Sequence, residues 1–263
     1  MLSPDSFYDL EPTPGLLSIG ARFGDRGTHT SRTMMSVELQ EALYALPADA
    51  KRTDYAEAIV EENILAKATY ATRKLTNQRL AELYGLSPRI PIFAVLRHLW
   101  DLDREGRPLL TLLVALARDP LLRASAPTIL ELPPGNELSR SRLVNNMRVA
   151  VGSRLNDSIL DKVARNLGSS WTQSGHLLGR VRKVRQRIEP TPASVAFALW
   201  IGEAQGYHGS SALNTIWTAV LDAEGHDLID LVLAAKRRGL IGAQIGGGLT
   251  EIDTSPLNPV SMN

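Results

Sequence analysis

Apolar residues recur every three or four positions along most of this 263-residue chain, which is the spacing of amphipathic helices. The spacing predicts helices over residues 34–46, 54–65, 76–84, 89–100, 107–118, 120–131, 139–150, 157–168, 171–186, 192–205, 210–221 and 227–239. Short apolar runs flank Gly246–Gly248 near the end, which predicts a hairpin of two strands. We therefore expect a mainly α fold. It would be a compact multi-helix bundle with helix-turn-helix or winged-helix-like units and one short C-terminal β-hairpin.

Proline and glycine positions divide the predicted helices into four parts. Residues 1–30 hold seven Pro or Gly and show little periodicity, so we expect a loosely structured N-terminal arm. The Pro133–Asn136 break suggests a soft boundary between two helical subdomains. The first, 31–135, would contain a helix-turn-helix-like unit, and the second, 136–253, a basic helix and the hairpin. Residues 254–263 are expected to form a flexible tail.

Composition limits the classes of protein this chain can belong to. Hydrophobic residues make up 44% and charged residues 22%, which is enough for a sizeable core and excludes general disorder. Lys and Arg total 29 against 28 Asp and Glu, so a broadly basic surface is excluded while a local patch is not. The first residues do not resemble a signal peptide, and the longest apolar stretch, 108–117, would span only about 15 Å. We expect a cytoplasmic protein that does not enter a membrane.

Candidate catalytic chemistry is sparse. The absence of cysteine excludes a thiol nucleophile and Cys-ligated zinc, and the five histidines show no metal-ligand spacing. A nucleophile elbow of the Gly-x-Ser-x-Gly type is also absent. We expect no enzymatic activity, no cofactor, no metal and no small-molecule substrate.

The stretch from Leu75 to Pro88 resembles the core of a helix-turn-helix. A short helix ends at Tyr84, Gly85 provides a sharp turn, and the segment Arg89–Trp100 would be the second helix. That second helix contains only two basic residues, and Pro91 lies in its first turn. The alternative is an ordinary helical hairpin that packs a core.

A second candidate is the polar and basic segment Ser169–Arg187. Five of the eight residues from Arg180 to Arg187 are basic, and Val181, Val184 and Ile188 are spaced to anchor one face of a helix. Hydroxyl and amide groups just before this run suit phosphates or base edges, and basic side chains suit phosphates. The alternative is a solvated basic face paired with acids such as Glu61, Glu62, Asp227 or Asp230.

A third candidate is the predicted helix 227–239 with the glycine hairpin that follows it. A helix leading into a hairpin is how a winged-helix unit ends, and Lys236–Arg238 would lie at its root. The alternative is a hairpin that covers the edge of the core.

Several phrases resemble a known family. They are Ala58–Lys67, Thr72-Arg73, Gln78–Tyr84, Leu109–Leu122 and Ser169–Ser174, and the similarity extends over roughly residues 30–252. The chain resembles the BrxA accessory proteins of BREX phage-resistance systems. The resemblance implies a helical, winged-helix-like protein that binds double-stranded DNA, supports a multi-protein defence complex and has no enzymatic activity.

These observations define one leading hypothesis and two alternatives. The leading hypothesis is a DNA-binding accessory factor with weak sequence preference, whose partners are double-stranded DNA and other proteins of the same defence system. Five phosphate contacts, from Arg180, Arg182, Lys183, Arg185 and Arg187, would give a log–log salt slope of about −4 to −5. The alternatives are an interaction scaffold that does not bind DNA and a helix-turn-helix transcriptional regulator. The candidate DNA-binding residues are Arg73, Lys74, Arg79, Arg89, Lys162, Arg165, Ser170, Thr172, Gln173, Ser174, His176, Arg180, Arg182, Lys183, Arg185 and Arg187.

Overall fold

A computed structural model describes residues 10–25 and 27–259. Across these residues the chain forms twelve α-helices and two small two-stranded antiparallel sheets, so the predicted mainly helical fold class is confirmed. The helices are α1 Pro14–Ser18, α2 Ser36–Ala45, α3 Arg52–Val60, α4 Tyr70–Tyr84, α5 Pro91–Leu102, α6 Arg107–Arg118, α7 Pro120–Leu130, α8 Arg140–Val151, α9 Asp157–Gln173, α10 Pro192–Gln205, α11 Ile216–Ala219 and α12 Gly225–Arg237. The strands are β1 Leu177–Leu178, β2 Val184–Arg185, β3 Gly242–Gly246 and β4 Leu249–Asp253. Among the described residues, no helix is both long and apolar enough to cross a bilayer.

Helix α6 lies at the centre of one continuous core. Every residue from Leu109 to Ala117 is buried, because α4, α5, α7 and α10 surround the helix. Burying each large side chain contributes about 1.5–3 kcal/mol before conformational entropy is counted. The core includes residues from both sides of the Pro133–Asn136 break. The two sides are also joined by a hydrogen bond, because the Trp171 indole N–H donates to Ser125 Oγ at 2.8 Å. The two predicted subdomains therefore share one core.

The expected loose N-terminal arm is ordered wherever the structure describes it. Leu16 of α1 is fully buried, and the Arg22 backbone N–H donates to Ala117 O at 2.9 Å. Arg123 also holds this segment in place, since its Nη2 donates to Arg22 O at 3.1 Å. Residues 1–9 and 26 lie outside the described residues.

The predicted flexible tail is likewise anchored over residues 254–259. Leu257 is buried, and the Trp200 indole N–H donates to Asn258 Oδ1 at 3.0 Å. Residues 260–263 lie outside the described part of the chain. The C-terminal hairpin itself is confirmed, with β3 and β4 antiparallel around the glycines at 246–248.

The prediction of a helix over 171–186 is wrong. Helix α9 continues to Gln173 and ends before Gly175. The φ of Gly175 is +89°, which glycine adopts without strain and other residues rarely adopt. The basic run then forms a second hairpin, in which Leu177 pairs with Arg185 and Leu178 with Val184. Val181, expected to anchor a helix face, is 91% exposed at the turn of this hairpin.

Candidate nucleic-acid interface

Residues 120–185 follow the order of elements found in winged-helix units. Helix α7 is followed by a single bridging residue, then by α8, α9 and the β1–β2 hairpin. Glu137 forms an antiparallel bridge with Val184, and Leu138 N and Gly135 N donate to the carbonyls of Lys183 and Arg185. The hairpin is therefore fixed to the start of the unit as a third strand would be. We call residues 120–185 the winged unit and residues 177–185 the wing.

Local sequence explains the two helices at the centre of the winged unit. Ser139 caps α8 by accepting from Arg142 N at 3.3 Å, and Asn156 caps α9 by accepting from Ile159 N at 2.9 Å. Between the two helices, Gly152 adopts φ +58° and ψ −140°, a conformation that side chains with a Cβ strongly disfavour. The result is a pair of consecutive helices joined by a short turn in the second half of the chain.

Helix α9 presents a polar stripe along one side. Ser158, Lys162 and Arg165 are exposed at i, i+4 and i+7, and the stripe continues through the half-buried Ser169 and Thr172. The opposite side, Leu160, Val163, Ala164, Leu167 and Trp171, is buried in the core. The first half of α9 is therefore anchored by its apolar side while its polar side faces solvent.

The wing lies at the far end of this stripe. Lys183 Nζ donates to Thr172 Oγ1 at 2.9 Å and to Gly179 O at 3.2 Å. A Cβ at Gly168 would approach the Lys183 aliphatic chain to 3.3 Å, so the small residue there permits close packing. The wing tip exposes Arg180, Val181 and Arg182. The stripe and the wing thus form one continuous surface, which we call the basic face.

The winged unit is much more basic than the rest of the chain. It has 11 Lys or Arg and four Asp or Glu, which leaves 18 basic and 24 acidic residues elsewhere. Six of its arginines form ion pairs with mostly exposed carboxylates: Arg140–Asp161, Arg142–Glu131, Arg148–Asp157, Arg154–Asp25, Arg165–Asp161 and Arg182–Glu137. Exposed pairs of this kind are weak and exchange readily with other anions.

Some of the predicted site residues are on this surface. Lys162, Arg165, Arg180 and Arg182 are exposed on the basic face, and Lys183 supports the wing. Arg187 is exposed beyond β2 and reaches Asp227 at 3.4 Å.

Other predicted site residues are inside the protein, which corrects their expected role. Ser170 is fully buried, and Ser174 Oγ lies 2.9 Å from His176 Nδ1, whose Nε2 lies 2.9 Å from Val220 O. Burial lowers the pKa of His176 to about 4, so the ring is neutral at physiological pH. Gln173 forms hydrogen bonds with Thr33 and Ser36, and the Thr172 hydroxyl accepts a hydrogen bond from Lys183 Nζ.

Arg185 is also unavailable to a ligand, contrary to the expectation from the basic run. The side chain is 2% exposed, and its Nη2 lies 2.5 Å from Asp222 Oδ1. Its Nε donates to Ile129 O at 3.0 Å, which links the wing to α7. The alternating direction of side chains in a strand turns Arg185 inward, whereas a helix would have exposed it. At most four of the five expected phosphate contacts therefore remain.

The helix-turn-helix predicted over Thr76–Trp100 has its two helices and its turn, but the second helix cannot serve as a recognition helix. Gly85 has φ +86° and separates α4 from α5 as predicted. Within α5 only His98, Asp101 and Leu102 are exposed, because apolar residues occupy nearly its whole circumference. This unit packs the core. It therefore offers no exposed recognition helix to the transcriptional-regulator hypothesis.

Four candidates belong to α4 or to the turn after it. Arg73 Nη1 donates to Val60 O at 3.2 Å, and Arg79 pairs with Glu82 at 2.6 Å. Lys74 lies over the Tyr70 ring, 4.6 Å from its centroid, and Arg89 is exposed. None of them belongs to the winged unit.

A buried Ser-His-Asp chain lies beneath α9. His29 Nδ1 faces Asp119 Oδ2 at 2.9 Å, and its Nε2 lies 2.8 Å from Ser170 Oγ. The arrangement is that of a hydrolase triad, but all three side chains are buried and Ser170 also bonds Asn166 O and Met34 N. Burial would raise the pKa of Asp119, yet His29 and backbone N–H groups hold it below its usual value. These three hydrogen-bonded side chains hold residues 28–34 against α7 and α9.

The third candidate, α12 with the β3–β4 hairpin, presents a different charge. Asp227 and Asp230 are exposed in the first half of α12, where a recognition helix would need neutral or basic groups. Strand β4 packs against residues 209–213, and Thr254 N donates to Glu203 at 3.3 Å. These contacts agree with a hairpin that covers the edge of the core.

The prediction missed the basic residues of α8 and of the turn after it. They are Arg140, Arg142, Arg148 and Arg154, and Ser158 of α9 was missed with them. A charge count over 60-residue windows would have revealed this segment, since the whole-chain balance of +1 hides its excess of basic residues.

No protein-family model and no curated protein matches this chain.

Proposed function

We propose that this chain is a non-enzymatic protein that binds double-stranded DNA through the basic face. The observation that carries the proposal is the exposed polar stripe of α9, held by the core on one side and bordered by the wing. A helix of this kind fits the major groove of B-DNA, whose width of about 12 Å admits one α-helix. Lys162 and Arg165 face the groove, while Arg180 and Arg182 of the wing lie along the neighbouring backbone.

The basic face is suited to phosphates more than to base edges. Its cationic side chains outnumber the amide side chains that would distinguish adenine, and Asp157 and Asp161 border the stripe. Binding is therefore expected to be backbone-dominated, weakly specific and strongly salt-dependent. Four phosphate contacts, from Lys162, Arg165, Arg180 and Arg182, would give a log–log slope of about −3.6.

The resemblance to BREX accessory proteins supports an extension of this proposal. The protein would act in a bacterial phage-defence complex and contact other proteins of that system. A scaffold role without DNA is the second candidate, favoured by one observation: six arginines of the winged unit are already paired with exposed carboxylates. A partner with an acidic surface could replace those carboxylates as DNA phosphates would.

Fluorescence polarisation on the full chain tests the proposal directly. The probe is a random-sequence duplex of roughly 30 base pairs, about three helical turns, titrated across a series of salt concentrations. Replacing Lys162 and Arg165 together with Glu should weaken binding by at least about tenfold and lower the salt slope by about 2. Double-stranded RNA of equal length serves as competitor, since its A-form geometry and 2′-hydroxyls distinguish it from DNA.

The matched control reverses charge on the other predicted unit, at Lys74 and Arg89. These side chains are exposed on α4 and the following turn, so their replacement by Glu should change affinity less than about twofold. A larger loss in the control than in the α9 variant would place the interface on α4 and reject the proposal. Absence of binding at low salt by a folded protein would favour the scaffold.

A further inference from the structure

A concave pocket of about 290 Å³ lies between α2, the turn that joins α5 to α6, and the last residue of α9. Val37 and Tyr44 of α2 form one wall and are both exposed large hydrophobic residues. Trp100 and Arg107 contribute to the opposite wall. The volume is close to the lower end of the range for small-molecule sites, and apolar walls with a few polar groups are typical of them.

Arg107 is held between two aromatic rings in this pocket. Its guanidinium carbon lies 4.9 Å from the Trp100 centroid and 5.3 Å from the Tyr44 centroid. Nε donates to Trp100 O at 3.0 Å, and Nη1 bonds the Tyr44 hydroxyl. These contacts orient the guanidinium without a carboxylate, and they leave Nη2 without a partner among the described residues.

No carboxylate of the described residues neutralises the positive charge of the pocket. Arg104 is exposed beside Arg107 and forms no ion pair with any described residue, although twelve such pairs occur elsewhere in the described chain. Among the described residues, no Asp or Glu lines the pocket. Two neighbouring like charges of the described structure, Arg104 and Arg107, therefore face this pocket without a carboxylate.

We infer that the pocket binds a small organic acid that combines a flat ring with a phosphate or carboxylate group. The ring lies against the apolar wall formed by Val37 and Tyr44. The acid group meets Arg104 and Nη2 of Arg107, because the planar guanidinium matches both phosphate and carboxylate oxygens. The site is independent of the basic face, with which it shares no exposed arginine.

Isothermal titration calorimetry on the full chain tests this site with four probes. Adenosine monophosphate and 1-naphthoate each combine ring and acid group, whereas adenosine and inorganic phosphate each supply only one part. We expect one or both of the ring acids to bind with a Kd below about 1 mM and at least about tenfold more tightly than either partial probe.

Variants locate the binding. Arg104→Gln should weaken the tighter ring acid by about tenfold, the usual effect of losing a charge-assisted hydrogen bond. Arg89→Gln, an exposed arginine outside the pocket, should change it less than about twofold, and so should Lys162→Glu on the basic face. The inference is overturned if neither ring acid saturates by about 5 mM, if Arg104→Gln binds like wild type, or if Lys162→Glu abolishes binding.

Discussion

Replacing Arg185 should lower the stability of the winged unit and leave its affinity for DNA unchanged. Replacing Arg185 by Gln removes the buried partner of Asp222 and the donor to Ile129 O. It leaves the Asp222 carboxylate, which is 15% exposed, without a counter-charge and with the Ile188 backbone N–H as its remaining donor. Breaking a buried ion pair from one side typically costs about 3–5 kcal/mol. Because single domains are stable by only about 5–15 kcal/mol, this loss should be large. Affinity per folded molecule should stay within about twofold, since Arg185 cannot reach a phosphate.

The matched variant is Arg180→Gln, five residues away on the wing tip. Its side chain is exposed, so the free energy of unfolding should change by less than about 0.5 kcal/mol. Loss of one phosphate contact should instead weaken DNA binding about eightfold at 0.1 M salt, from a salt slope of about −0.9 per contact.

Urea denaturation followed by tryptophan fluorescence measures the first quantity, and fluorescence polarisation on duplex DNA, corrected for the folded fraction, measures the second. The double replacement of Arg185 by Met and Asp222 by Asn should recover much of the stability, because no buried charge remains and Asn tolerates the positive φ of 52° at this position. If Arg185→Gln kept full stability and lost DNA affinity, the assignment of this side chain to the interior would be refuted.

Three further predictions concern stability alone. Because the unfolded state protonates His176 near pH 6.5 and the folded state only near pH 4, unfolding free energy should fall by about 2 kcal/mol from pH 7 to pH 5. His176→Gln should flatten that urea-denaturation profile, and His208→Gln, at an exposed position, should not. Gly152→Ala should lower the thermal midpoint at a cost of about 1–3 kcal/mol, since its φ and ψ suit only glycine; an unchanged midpoint would mean that the turn relaxes. Trp171→Phe should cost about 1–3 kcal/mol in urea titrations by removing its bond to Ser125 and part of its volume, and a neutral result would contradict the packing described.

Local signals in the sequence predicted most of the helices correctly. The 3.6-residue period places α2, α6, α7 and α10 within a few residues of their observed bounds, because their apolar faces pack directly on the core. The glycines at 246–248 predicted the C-terminal hairpin, since the turn conformation is a property of the residues in it.

The wing could not be predicted in this way. Its hairpin is joined to the start of the winged unit by an isolated bridge from Glu137, 47 residues before Val184, and no local pattern reports that pairing. A stretch with valines three residues apart satisfies a helical template and a short hairpin equally well. The resulting error placed Val181 inside and Arg185 outside, and the structure has both reversed.

The candidate site shows the same division. Sequence alone determined that basic and hydroxyl residues concentrate between Ser169 and Arg187 and that the chain is mainly helical, because composition and period are local properties. Only the tertiary structure decided that Ser170 and Arg185 belong to the interior, that Lys162 and Arg180 share one surface, and that α5 is a core helix. Exposure depends on which distant elements cover a residue, and that follows from the packing of the whole chain.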